Sequence, residues 1–122
     1  MVLQELDSVL KVSCRRITHE MNIAEISHLH AWSNYTFIHH NEKKVLSAKT
    51  LRFYHMQLDN DLFIRPHQSY SVNINHISHV NFRTSTIFLK SGIEIPISRA
   101  RKKVVKEFFS YRSQADKEPV IN

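Results

Sequence analysis

The chain has 122 residues, 42% of them hydrophobic and including seven Phe and four Tyr, enough for one domain with a core and too apolar for disorder throughout. Seventeen Lys and Arg against eleven Asp and Glu leave a formal charge of +6, which favours polyanionic partners without requiring one. The single Cys14 excludes an intrachain disulfide framework, no apolar run reaches the ~18 residues of a membrane span, and MVLQELDSVLK carries acids where a signal peptide needs bases, so a cytoplasmic location is expected.

Residues 1–9 read as a starting tail or the stub of a connection to something upstream. The stretches 10–17 and 19–31 read as short strands, with Asn22 placed to cap a brief helical turn at 23–25. Tyr35 to His40 and Lys43 to Ser47 are β-rich runs whose spacing across Asn41-Glu42 predicts a tight hairpin. TLRFYHMQL at 50–58 predicts a helix started by Ser47 or Thr50, with Leu51, Tyr54, Met56 and Leu58 as an imperfect apolar stripe ended by Asp59-Asn60-Asp61.

Further on, Pro66 biases Arg65 toward an extended backbone, so Phe63 to Tyr70 is expected to present a tethered loop. Tyr70, Val72 and Ile74 alternate with Ser71 and Asn73 as a half-buried strand. A turn through 73–76 leads to strands near 77–82 and 86–90. Ser91-Gly92 then reverses the chain into Ile93, Ile95 and Ile97, expected on one face, with Pro96 marking an edge position or the strand's end.

Ser98 is a candidate N-cap for a closing helix whose apolar stripe is Val104, Val105 and Phe108, while Arg99, Lys102, Lys103 and Lys106 form a basic stripe. Arg99 and Arg101 fall in the first turn, where the helix dipole disfavours cations, a placement easier to explain by an anionic ligand than by stability. A solvated basic face explains the same stripe equally well. Near Pro66, Gln68 has the donor and acceptor for an adenine edge, and Arg65, His67 and Ser69 suit phosphate or sugar; a solvent-exposed amide and a loop-stitching histidine are the plain alternatives. Trp32-Ser33-Asn34-Tyr35 makes a third polar, aromatic turn, in which Asn34 can reach a base and Trp32 and Tyr35 can equally serve as hydrophobic lids.

These residues carry a resemblance. AEISHLHAWSNYTFIHH, the Thr-Leu at 50–51, FIRPHQSYSVNINHI and the hairpin SGIEIPISRARKK stand in the order found in LytTR-type DNA-binding domains, output modules of bacterial response regulators, from residue 23 to 109. The resemblance implies a mainly β fold, an elongated arrangement of short, mostly antiparallel strands with two or three short helices. It implies bacterial transcriptional regulation through sequence-specific contacts of loops in the major groove of double-stranded DNA, at Asn34-Tyr35, His67-Gln68 and Arg99. Base contacts are then expected from Asn34, Tyr35, Gln68 and Arg99, and backbone contacts from Arg65, His67, Ser69, Ser98, Arg101, Lys102, Lys103 and Lys106. Gln68 stands where many members have arginine or asparagine, so a target sequence does not transfer.

On this reading 1–22 is an N-terminal strand region or the remnant of an upstream linker, 23–109 the DNA-binding domain and 110–122 a polar C-terminal tail. The family's usual receiver domain is absent from these residues, which leaves two alternatives, an output domain with a receiver upstream in a longer protein or a free-standing protein; a monomer without DNA and paired direct repeats as the target are expected. The competing class is an RNA-binding or protein-interaction module with a basic face. No enzyme, cofactor or metal is expected: His28 and His30 share a strand face and His39-His40 are adjacent, but no third histidine or carboxylate stands at a partner spacing, and a lone glycine makes no phosphate loop.

Overall fold

The computed structural model describes residues 8–117; the expected N-terminal tail, for residues 1–7, and the end of the C-terminal tail, 118–122, lie outside the described residues. β1 (Val9–Cys14) and β2 (Ile17–Asn22) pair antiparallel about Arg15-Arg16, a turn the expected strands over 10–17 and 19–31 do not contain. Neither arginine is a turn-forming residue type, which is why the sequence pattern hides it. Asn22 caps the helical turn at Ile23–Glu25 as expected, accepting the Ala24 N–H at 3.0 Å.

β3 (Ile26–Trp32), β4 (Tyr35–His40) and β5 (Lys43–Ser47) fold back on one another through Ser33-Asn34 and Asn41-Glu42. Asn41 and Glu42 are both at positive φ, the mirror-image turn whose twist matches a hairpin. α1 (Leu51–His55) is shorter than the predicted 50–58, with Thr50 accepting the Phe53 N–H at 3.1 Å as its cap. The chain leaves the helix after His55, so Leu51, Tyr54 and Leu58 are buried while Met56 is 69% exposed.

Phe63 to His67, expected as a loop, is strand β6 (Phe63–His67), and only Gln68-Ser69 turn the chain into β7 (Tyr70–Asn73). Pro66 is tolerated because β6 is the outer strand of its sheet and gains one residue over β7 between Ile64 and His67, a bulge. β8 (Ile77–Asn81), β9 (Thr86–Leu89) and β10 (Glu94–Pro96) follow, with Gly92 at φ 98° turning β9 into β10 and Pro96 on the outer strand as expected. Ile95 and Ile97 are buried, whereas Ile93 belongs to the turn and is exposed. Ser98 caps a 3-10 turn at Arg99–Arg101, and α2 (Lys102–Lys117) continues from it into the stretch read as a polar tail.

The architecture is thus antiparallel strands with two α-helices, in three sheets: β1-β2, β5-β4-β3-β7-β6 and β10-β9-β8. Two cores lie on opposite faces of the five-stranded sheet. Leu29, Ile38 and Phe63 meet β1, β2 and α1 on one face, and Ile64 and Val72 meet Ile87, Leu89, Ile95, Ile97 and Val105 on the other. Phe108 and Phe109 complete the buried side of α2; Val104, assigned to that stripe by its spacing, is 46% exposed because Val105 occupies the contact.

Asn73 ties these layers together. It is fully buried, its amide donates to the Ile26 carbonyl at 2.9 Å, and its oxygen accepts the Asn75 N–H at 2.9 Å. Asn73→Ala strips partners from a buried carbonyl and an amide, and will lower stability by about 1–3 kcal/mol, read as a fall in the urea midpoint.

Candidate nucleic-acid interface

Strand direction decides what meets at each end of the five-stranded sheet. β3 ends at Trp32, β4 begins at Tyr35, β6 ends at His67 and β7 begins opposite His30, so the Ser33-Asn34 and Gln68-Ser69 turns share one end. The Ala31 N–H donates to the Ser69 carbonyl at 2.8 Å, locking the two turns side by side. At the usual strand spacing of about 4.8 Å they stand about 10 Å apart.

The third segment is fastened beside them by the β6 bulge. Ser98 N–H donates to the Pro66 carbonyl at 2.9 Å, and the Arg101 Nε donates to the Arg65 carbonyl at 2.8 Å. Arg65 in turn braces the hairpin from beneath, its Nη2 donating to the Gln68 carbonyl at 2.7 Å. Arg65, His67, Gln68, Ser98, Ala100 and Arg101 line a groove of about 460 Å³. Burial and the nearby Arg101 push the Arg65 guanidinium below its ordinary range, and Arg65 and Arg101, after burial, also hold His55 down to about 4. Two guanidiniums brought this close without a carboxylate form a site whose repulsion an anion relieves.

Arg99 is exposed and its side chain has no hydrogen bond or ion pair among the described residues. Gln68 and Asn34 are exposed at their turns, and Trp32 and Tyr35 are 61% and 44% exposed, too open to be the lids their composition allows. His67 is half-buried and stitches its turn: Nδ1 accepts the Ser69 N–H at 3.0 Å, which in the neutral ring leaves the proton on Nε2. Ser69 and Ser98 are half-buried, and the Ser98 Oγ is engaged in the cap, accepting the Arg101 N–H at 3.2 Å. Lys103 is exposed and Lys102 half-buried, while the Lys106 ammonium lies 5.7 Å from the Phe82 ring centre. Because Arg99 to Arg101 form a 3-10 turn, Arg99 does not continue the α-helical basic stripe; it stands at its head beside the groove.

Lys49 was not among the expected residues yet belongs to this end, since its carbonyl accepts the Thr36 hydroxyl at 2.8 Å. Its only sequence signal is distance along the β4–β5 hairpin, where Ser47 pairs with Thr36. None of the Asp or Glu residues falls in 31–36, 47–52, 65–70 or 96–103, whereas Glu25, Glu42, Asp59 and Asp61 occupy turns and loops around the opposite end. The acids are therefore polarised: Lys43 and Lys90 at the opposite end stand beside Glu25 and Glu42, whereas the cations where the three turns meet have no acid among them.

The histidines form a different structure. His28, His30 and His39 share one sheet face with Phe37 and Tyr70; His28 stacks on His39 with centroids 4.0 Å apart, and His30 on Tyr70 at 4.4 Å. Parallel stacked rings do not converge lone pairs on a point, and no group of three His, Cys, Asp or Glu among the described residues is placed to hold a metal. No helix among them is long and apolar enough to cross a membrane.

An antiparallel β-domain with polar turns and uncompensated cations at one end has the form of a module that meets a polyanion through loops. Residues 16–110 match the family model of the LytTr DNA-binding domain, and the chain belongs to that family. A solved LytTr DNA-binding domain from Bacillus cereus has the same fold, with a TM-score of 0.73 at 24% identity, over 84% of this chain and 96% of that one. Comparison with curated protein sequences gives no match.

Proposed function

We propose that the chain binds double-stranded DNA sequence-specifically in the cytoplasm, as the output part of a bacterial transcription regulator, presenting the sheet end to the major groove. The observation that carries this reading is the meeting of Asn34, Gln68 and Arg99 on one end that also gathers Arg65, Arg101 and Lys49. Asn34, Tyr35, Gln68 and Arg99 are the base-reading side chains. Arg65, His67, Ser69, Ser98, Arg101, Lys102, Lys103 and Lys106 are assigned to the backbone, with the Arg99 and Ala100 N–H groups and the terminal guanidinium nitrogens beside them as the main phosphate seat, since the Ser98 and Arg101 N–H groups are engaged within the fold. Arg65 spends donors on its own hairpin, so its part is to hold Gln68 in place as well as to supply charge.

Site selection from a random duplex library, followed by anisotropy titration of the selected and scrambled duplexes, tests the reading. Gln68→Ala will relax preference at one or two base positions while leaving the fold intact, since Gln68 donates nothing to the hairpin through its side chain among the described residues. An unchanged selected sequence would remove Gln68 from the base-reading set.

One end of this size covers few base pairs, and selectivity in a genome needs more. The chain is therefore proposed to be a monomer in the absence of DNA and to place two copies on paired direct repeats. Sedimentation with one-repeat and two-repeat duplexes will give one and two copies bound; a stable DNA-free dimer would contradict the assembly.

A further inference from the structure

We propose that the Arg15-Arg16 hairpin tip is a fourth DNA-contacting element, gripping backbone phosphates beside the Asn34 turn; this rests on the proposed binding of duplex DNA. The position comes from the register of β1 and β2. At their open end the Ile23 N–H donates to the Ser8 carbonyl, and Ile23 lies at the end of the sheet where Asn73 reaches its carbonyl. The opposite end of the hairpin is the tip. Just before it, the Ser13 N–H donates to the Tyr54 hydroxyl at 3.0 Å, and that hydroxyl also hydrogen-bonds Ser47, the residue paired with Thr36 next to Tyr35. Arg15 and Arg16 therefore project from the same end as Asn34, on the α1 side of the sheet, away from the Arg99 groove.

Their backbone supplies a second, independent observation. Arg15 and Arg16 have φ of 52° and 67°, the left-handed pair of a mirror-image turn that Asn-Gly adopts without strain and that Cβ-bearing residues resist. Both side chains are exposed and neither has a hydrogen bond or ion pair among the described residues, so nothing in the fold repays their use. The other hairpin with this geometry, Asn41-Glu42, carries an Asn and an acid and lies at the opposite end. Two guanidiniums carried on a short ribbon at the basic end suit phosphates flanking a groove that the Asn34 turn enters.

The test separates charge from turn geometry. Arg15→Asn with Arg16→Gly removes both charges and relieves the turn, whereas Arg15→Gln with Arg16→Gln removes the charges and keeps Cβ-bearing residues in it. Each is titrated, in the full chain, against the duplex selected by the unaltered protein and its scrambled counterpart between 50 and 200 mM salt, beside a urea denaturation. Both variants will bind the two duplexes more weakly by similar factors. The fall in affinity across that salt range will shrink by about tenfold, as expected for two lost phosphate contacts. The Asn-Gly variant will unfold at higher urea than the unaltered chain, so its weaker binding is not a loss of fold. Affinity and salt dependence equal to those of the unaltered chain in both variants would overturn the fourth contact alone. Failure of the unaltered chain to bind any duplex would overturn the binding reading itself, and the role of the tip with it.

Discussion

Arg99→Ala will weaken binding to the selected duplex by about 1–3 kcal/mol, roughly 5- to 150-fold, while the scrambled duplex loses much less, if Arg99 makes one bidentate contact to a guanine edge. The fold is not at stake in this substitution. The segment is pinned by the Ser98 N–H on the Pro66 carbonyl, the Arg101 Nε on the Arg65 carbonyl and the Ser98 cap, none of which uses the Arg99 side chain. Arg99→Lys keeps the charge but loses the planar fork, so it will retain scrambled-duplex affinity and still lose discrimination. Anisotropy titrations of both variants on both duplexes check this. Equal losses on the two duplexes would move Arg99 into the phosphate class, where Lys102 and Lys103 are expected, each lowering the salt slope by up to about one. Lys106 will have the smallest effect of the three lysines, because its ammonium is drawn over Phe82.

The strands of this domain are legible where a local rule agrees with the tertiary outcome. Asn22 before a helical turn, Asn41-Glu42 between two β-rich runs and Gly92 between β9 and β10 each announce a turn by residue type, and each turn is present. Phe63 to His67 misleads because Pro66 is read as a loop marker, when an outer strand with a bulge needs no ladder bond from it. Met56 and Val104 mislead in the same way: their spacing fits an apolar stripe, but burial depends on where a helix stops and on which neighbour reaches the partner first.

The candidate site divides similarly. The three loops are visible as polar teeth between strands, and the resemblance orders them, but only the sheet register shows that they share one end. Lys49, Arg15 and Arg16 carry no motif. Lys49 reaches this end by its distance along the β4–β5 hairpin from Thr36, whereas Arg15 and Arg16 reach it through Ser13 and Tyr54, far apart in the chain, which no local pattern encodes. The histidines show the converse. His28 and His39 look like separate features of two strands, and antiparallel pairing stacks them in the interior of a sheet face.

The burial of these rings and of His55 makes the domain acid-labile. Burial first, and then the neighbouring His39, His30 and His76, lower the His28 imidazole from 6.5 to about 3. His39 is lowered to about 4, chiefly by burial and then by Lys44 and His30; His55 falls to about 4, and His30 shifts downward as well. All four rings are depressed in the folded chain, so between pH 6.5 and 4 the unfolded chain binds protons that the folded one refuses, and stability rises with pH across that window. The histidine contribution is fully present above 6.5 and is lost as pH falls toward the folded values. At pH 5 His28 alone accounts for a loss of about 2 kcal/mol, with smaller amounts from the more exposed His39 and His55. Against a total stability of about 5–15 kcal/mol, this is enough to move the urea midpoint well below its value at pH 7.5. Urea titrations at pH 7.5, 6.5, 5.5 and 5.0 will show little change over the first step and a steepening fall after it. His28→Gln, which cannot take up a proton, will flatten the fall by about the His28 share whatever its own stability at pH 7.5. A midpoint that stays constant down to pH 5, or a fall as steep in His28→Gln as in the unaltered chain, would rule out the buried imidazole stack as its cause.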